Sequence, residues 1–291
     1  MDYLEIAKKL VKPVVHGLGI DIVRYPRVEP KPQRLIQRPF NVLEFVVDHR
    51  IRSAGTSIYF VQVGASNGVR WDPLRDLIFR YHLSGLLIEP LPDAFEQLRQ
   101  GYADEPQLSF ENCAIASDDG MKSLFRVKAN APYGDWAQGV ASFSRKHVLA
   151  HLRDEPGDER EHEQYIEEVQ VPTITVNTLL QKHRLPEITL LQIDTEGYDF
   201  EILKMFFAAH IFPEIVNFER VHLPFRNQQE SRYQLIKHGY RFVDVGIDTL
   251  AIRAGSSWPP HNEGTNDDIE FPETDSDRTD KAQPQERALE K

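Results

Sequence analysis

The chain has 291 residues, 41% hydrophobic and 27% charged, which is close to globular norms and excludes a wholly disordered, collagen-like or coiled-coil protein. Its 45 Asp and Glu outnumber 34 Lys and Arg for a net charge of −11, so a surface built to grip phosphate backbones, and hence a nucleic-acid partner, is not expected. The single cysteine, Cys113, excludes an internal disulfide framework and a thiolate metal cluster, and the longest apolar runs fall far short of the ~20 residues of a transmembrane helix.

Both ends differ from the middle. Residues 1–38 carry eight Lys and Arg against four Asp and Glu, and read as a basic arm: an amphipathic helix, then a segment punctuated by Pro26, Pro30, Pro32 and Pro39. Asp2 and Glu5 spoil a signal peptide, so a cytoplasmic location is expected. Residues 255–291 carry ten Asp and Glu against four Lys and Arg among several prolines, with too little apolar surface to offset the entropy of ordering; a disordered acidic tail is expected. The remaining segment, residues 39–254, alternates apolar β-rich runs with helical patterns, as in a largely parallel sheet covered by helices on both faces.

In chain order, the spacing predicts a strand from Ile58 to Val63, a turn Gly64-Ala65-Ser66-Asn67-Gly68, and a helix opened by Asp72 and Pro73 and followed by Leu74, Leu77, Ile78 and Tyr81. A second strand, Leu86 to Glu89, leads to a helix from Asp93 to about Arg99 and a third strand from Leu108 to Ile115. After a strand at Leu124 to Val127, residues 128–168 form a polar, aromatic excursion broken by Pro132, Gly134, Gly139, Pro156 and Gly157; excursions of this length are commonly functional. Regularity returns with strand Val169 to Ile174, helix Val176 to His183, strand Leu190 to Ile193, helix Phe200 to His210, strand Ile215 to Phe218 and helix Ser231 to His238. The last two strands, Arg241 to Val245 and Thr249 to Ile252, are too close for a helical crossover and must pair as an antiparallel hairpin.

In a doubly wound sheet the ligand lies beyond the carboxyl ends of the strands. There the Gly64 to Gly68 turn would let backbone amides approach a ligand, and Glu89 stands about as far downstream as a carboxylate that accepts from ribose hydroxyls. The two together suggest an adenosine-containing cofactor; a tight turn beside a solvated carboxylate is the plain alternative. The turn lacks the GxGxxG of a pyrophosphate site, and the chain has neither GxxxxGK[ST] nor GxSxG, which disfavours NAD, a P-loop nucleotidase and a serine hydrolase. A phosphate-free cofactor such as S-adenosylmethionine fits.

Three blocks carry a family likeness: Phe60 to Gly68 (FVQVGASNG), Leu87 to Pro90 (LIEP) and, most specific, Leu191 to Leu203 (LQIDTEGYDFEIL). Over residues 58–253 the chain resembles the FkbM family of S-adenosylmethionine-dependent methyltransferases. The resemblance implies a Rossmann-like α/β fold with a seven-strand methyltransferase sheet, and methyl transfer to hydroxyl oxygens, commonly of sugars, glycans or small natural products. It further implies that Gly64, Ala65, Asn67 and Gly68 cradle the cofactor, Glu89 binds ribose, and Asn112 or Ala114 lies by adenine.

Methyl transfer to an alcohol needs a proton acceptor. Candidates are Asp194 and Glu196 after one strand, and Glu219 and His222 after the next, with His222 or Asp194 favoured as base. Alternatively, Asp194 caps the helix beginning near Tyr198 or holds the sulfonium side of the cofactor, Glu196 forms an ion pair and His222 is a surface loop residue. The same groups could hold Mg²⁺ or Mn²⁺. Tyr133 to Phe143, with Trp136 and Ser142, is the expected acceptor contact, since aromatic rings stack on sugar faces. Two other readings stay open: a metal-dependent glycosyltransferase, with Asp194-Thr195-Glu196 as a DxD motif, and a non-catalytic S-adenosylmethionine-binding protein. The oligomeric state is open.

Overall fold

A computed structural model describes residues 41–54 and 58–255; the expected basic arm and most of the expected acidic tail lie outside the described residues. The first described helix is α1 (Val42–Ala54). It is followed by β1 (Tyr59–Val63), α2 (Arg75–Tyr81), β2 (Ser84–Ile88), α3 (Pro92–Gly101) and β3 (Leu108–Glu111). After a middle section come α6 (Val176–His183), β8 (Leu190–Ile193), α7 (Asp199–Ala208), β9 (Ile215–Glu219), α8 (Phe225–Lys237), β10 (Tyr240–Val245) and β11 (Asp248–Arg253). These seven strands form one sheet in the order β10-β11-β9-β8-β1-β2-β3. β3, β2, β1, β8 and β9 run parallel, and β11 lies between β9 and β10, antiparallel to both. The expected terminal hairpin is therefore present.

The central strands β1, β2, β8 and β9 are buried on both faces because they are apolar on both. Phe60, Leu87, Leu190 and Ile215 face a cluster with Leu43, Val46 and Val47 of α1, Leu77 and Ile78 of α2 and Leu98 of α3. Val61, Leu86, Leu191 and Val216 face the opposite cluster, with Leu179 of α6, Leu203 and Phe206 of α7 and Leu235 of α8. This alternation is the period-two geometry of a strand. α2 begins two residues later than expected, yet Asp72 still acts at its start: Leu74 N–H donates to Asp72 Oδ1 at 2.8 Å. α8 begins at Phe225, six residues earlier than expected.

The expected third strand, Leu108 to Ile115, is two strands in two sheets. β3 ends at Glu111, and β4 (Ala114–Ile115) joins a second sheet with β5 (Gly120–Val127), β6 (Ala141–Ser142) and β7 (Ile166–Ile174), in the order β4-β7-β5-β6. Asn112 makes the break: its Nδ2 donates to the carbonyls of Glu89 (2.8 Å) and Pro90 (3.1 Å), which holds the chain away from the first sheet. The 128–168 excursion thus belongs to a small second sheet, dominated by the antiparallel β5–β7 ribbon. It also holds a 3₁₀ turn at Asp135–Gly139 and the helices α4 (Arg145–His151) and α5 (Glu159–Glu163).

Candidate active site

The strand order reverses at β1, between β2 and β8, and a cleft of about 550 Å³ opens beyond the carboxyl ends of β1, β2, β8 and β9. This is the switch-point position at which open α/β sheets bind ligands. Gly64, Ala65, Asn67, Glu89 and Ala114 line it. Gly68 and Asn112 are not on its wall. Gly68 instead packs against Leu98 and Tyr102, and Asn112 fixes the strand break, so of the two expected adenine neighbours only Ala114 faces the cleft.

The bend between β1 and α2 works differently from the sequence expectation. Gly64 and Ala65 N–H both donate to the Ile88 carbonyl, Ser66 N–H to Glu89 Oε2 (2.8 Å) and Gly68 N–H to the Ala65 carbonyl. These amides are spent inside the protein rather than held out to a ligand. Gly64 is required by packing: it has φ +83°, and a Cβ there would overlap the Asp194 carbonyl oxygen. Asn67 closes the bend by accepting from the N–H groups of Val69 and Arg70. Glu89 is 5% exposed and accepts from Ser66 and Leu91 N–H, one bond per oxygen. Each oxygen keeps a second lone pair for a hydroxyl donor. Burial pushes its carboxyl up to about 7, against the pull of those two amides.

The four candidate catalytic residues converge. One carboxylate oxygen from each of Asp194, Glu196 and Glu219 lies within 4.8 Å of the other two. His222 Nε2 is 3.4 Å from Glu219 Oε1 and 3.7 Å from Glu196 Oε2. Burial, then repulsion from nearby carboxylates, Asp199 among them in each case, pushes Asp194 up to about 7, Glu196 to about 8 and Glu219 to about 9. Glu196 has φ +52°, a left-handed conformation whose cost a packed site must absorb. The loop is held by Asp199, not Asp194: Asp199 accepts from Thr195 N–H (3.3 Å) and Gly197 N–H (3.1 Å). The alternative of Asp194 as a helix cap is therefore set aside.

Two residues were missed by sequence reasoning. His147 and His151, four apart on α4, point at the same cluster: their Nε2 atoms are 3.0 Å apart, and His151 Nε2 is 3.2 Å from Glu196 Oε2. Ser144 caps α4 by accepting from His147 N–H. The His-x-x-x-His spacing on a capped segment was the available signal, since residues four apart share a helix face. Burial holds both imidazoles below their ordinary value, His151 at about 4, and His222 is lowered by burial as well.

Of the acceptor segment, Trp136 and Phe143 line the cleft, while Tyr133 packs against His162 and Tyr165. Ser142 is buried, and its hydroxyl donates to the Glu196 carbonyl at 3.2 Å, so it braces the carboxylate loop.

Among the described residues, six buried side-chain polar atoms lack a hydrogen-bond partner, and five belong to residues lining this cleft: Gln62 Oε1, Arg126 Nε, Thr195 Oγ1, Glu196 Oε2 and Glu219 Oε2. Orphaned buried groups are rare and costly, and their concentration here marks a ligand-binding wall. The wall fits S-adenosylmethionine in two respects. Apolar Pro90, Leu91 and Ala114 flank Glu89, as a nucleoside base and its ribose require, and the crowded acidic groups favour a cationic sulfonium. Cys113 also lines the cleft, but burial pushes its thiol up to about 12, which removes it as a nucleophile.

A search of curated proteins finds no match. Among solved structures, a methyltransferase FkbM from Methylobacillus flagellatus KT is similar at 15% identity and TM-score 0.42, covering 67% of this chain and 43% of that one. The chain thus spans less than half the length of that relative. A methyltransferase from Geobacter sulfurreducens is similar at 11% identity and TM-score 0.35, covering 87% and 89% of the two chains. The methyltransferase FkbM domain itself matches residues 62–242, from β1 to β10, and so takes in the bend, Glu89 and the whole carboxylate–imidazole cluster. With more than half its length in that domain, the chain belongs to the FkbM methyltransferase family.

Proposed function

We propose that this methyltransferase is an S-adenosylmethionine-dependent O-methyltransferase whose acceptor is a hydroxyl of a sugar, glycan or small natural product, and that residues 39–254 form its catalytic domain. The observation that carries the reading is the concentration of orphaned polar atoms and proton-accepting groups on one cleft wall at the switch point of a methyltransferase sheet.

S-adenosylmethionine, when bound, supplies an electrophilic methyl group. Glu89 would accept from the ribose hydroxyls, and Ala65, Asn67 and Ala114, which line the cleft, would shape the surface around the nucleoside. Asp194, whose backbone abuts Gly64 at the bend, sits next to that surface and would take the proton of the acceptor hydroxyl as its oxygen gains the methyl group and the sulfonium is released as a thioether. Glu219 and Glu196, close by, would raise the proton affinity of the cluster through burial and repulsion. Trp136 offers an aromatic face to the acceptor, and Phe143, edge-on to Tyr198 at 5.2 Å, closes the apolar side. Holding reactants in line accounts for a large part of such rate enhancements, and a positioned base contributes ~10²–10⁴-fold.

The test is transfer of labelled methyl to a panel of glycans and small alcohols. Base-stable label on oxygen, with kcat reduced ~100-fold or more in Asp194→Asn at unchanged S-adenosylmethionine affinity, supports the reading. Cofactor binding without transfer to any acceptor would make the protein a binding module, and label on nitrogen or carbon would contradict O-methylation.

A further inference from the structure

We infer that His147, His151, His222 and Glu196 form a binding site for a single divalent first-row transition-metal ion of the zinc type at the acceptor side of the cleft. One ligand atom from each of the four lies within 4.8 Å of the others. Zn²⁺ with bonds of ~2.1 Å sets tetrahedral ligand atoms about 3.4 Å apart. The distances of 3.0 Å (His147 Nε2 to His151 Nε2), 3.2 Å (His151 Nε2 to Glu196 Oε2) and 3.7 Å (His222 Nε2 to Glu196 Oε2) bracket that spacing.

The hydrogen bond between His147 and His151 does not extend to the carboxylate. Glu196 Oε2 is buried without a hydrogen-bond partner although His151 Nε2 stands 3.2 Å and His222 Nε2 3.7 Å from it. Beside it, the side chain of Glu219 is 7% exposed, with Oε1 3.4 Å from His222 Nε2 and Oε2 unpartnered. A cation would satisfy both carboxylates. The three rings contact one another at centroid separations of 4.8, 5.5 and 4.2 Å. Burial keeps them neutral, the state in which imidazole ligates. The backbone accommodates the arrangement at Gly197, φ +93°, where a Cβ would stand 2.8 Å from the His147 ring.

Three imidazoles change the ion expected from sequence. Mg²⁺ prefers oxygen ligands, whereas nitrogen-rich sets suit zinc and its neighbours. His151, His222 and Glu196 line the cleft, so on the O-methyl transfer reading the ion would lie beside the acceptor; the site itself stands on the four ligands alone.

The full chain, freed of any affinity tag and stripped with EDTA, is titrated with ZnCl₂ by calorimetry and with Co²⁺ by visible absorption, alongside His147→Ala/His151→Ala and a His183→Ala control. His183 pairs with Glu111 elsewhere in the fold. The expected result is one tight equivalent of Zn²⁺, a Co²⁺ adduct with ligand-field bands, and affinity at least 100-fold weaker in the double variant but unchanged in the control. Circular dichroism in EDTA checks that the double variant folds; if it does not, the wild-type Co²⁺ spectrum decides. No stoichiometric binding, no such bands, or affinity retained by a folded double variant would overturn the site. S-adenosylmethionine binding, measured on the same EDTA-treated protein, separates this outcome from failure of the methyltransferase reading.

Discussion

The carboxylate cluster is held together against its own charge, and replacing Glu219 by Gln should therefore stabilise the metal-free fold. Glu219 is pushed up to about 9 by burial first, then by the charges of Asp194, Glu196, Asp199 and Asp248. A carboxyl raised in the folded state contributes its full stability below the ordinary carboxylate range and loses it as pH rises towards the folded value. The window here runs from about pH 4.5 to 9. A fully expressed shift would cost about 5 kcal/mol by pH 8, at ~1.4 kcal/mol per pH unit. Solvent reaching the cleft and the sharing of protons among the three carboxyls reduce this to about 2 kcal/mol. Gln keeps the shape and removes the charge, so Glu219→Gln should match wild type near pH 5 and exceed it by about 2 kcal/mol at pH 8, or roughly 6 °C in Tm for a domain of this size. The assay is thermal and urea unfolding in EDTA at pH 5, 6.5 and 8. A difference that does not grow with pH, or a Gln variant less stable than wild type at pH 8, refutes the reasoning.

Gly64→Ala should cost more than about 3 kcal/mol, because a Cβ meets the Asp194 carbonyl and the residue has positive φ; Gly239, with φ +81° but open space around its Cβ, shares only the second effect, so urea midpoints of Gly64→Ala against Gly239→Ala isolate the clash. Leu203→Ala, in the core beneath β8, should lose about 2–5 kcal/mol without altering cofactor affinity per folded molecule. Trp136→Ala should raise the acceptor KM by about tenfold or more, consistent with ~1.4 kcal/mol of lost ring contact, while the Kd for S-adenosylmethionine stays within twofold. Equal loss of both affinities would assign Trp136 to packing.

The elements legible in the sequence were those set by local pattern. Val176–His183 and Leu190–Ile193 fall where apolar spacing put them, and the short link between the last two strands forced the hairpin. The edge positions of Asp194 and Glu219 were readable too, because parallel neighbours end together. Tertiary effects were not. The split at Asn112 depends on two carbonyls from the β2 end, partners more than twenty residues away that the local sequence does not show. The bend amides were expected to meet a ligand, but the Ile88 carbonyl and the Glu89 carboxylate claim them, partners more than twenty residues away. His147 and His151 lay in a polar stretch whose helix is only seven residues long, with little apolar periodicity to announce it.

Calorimetric titration with S-adenosylmethionine and S-adenosylhomocysteine, in wild type and Glu89→Gln, tests the assignment of the cleft most directly. The account predicts one site per chain, saturable at micromolar ligand, with affinity weakened about tenfold or more by Glu89→Gln as the charged acceptor for the ribose hydroxyls is lost. Absence of binding at millimolar ligand, or undiminished affinity in a folded Glu89→Gln protein, would contradict it.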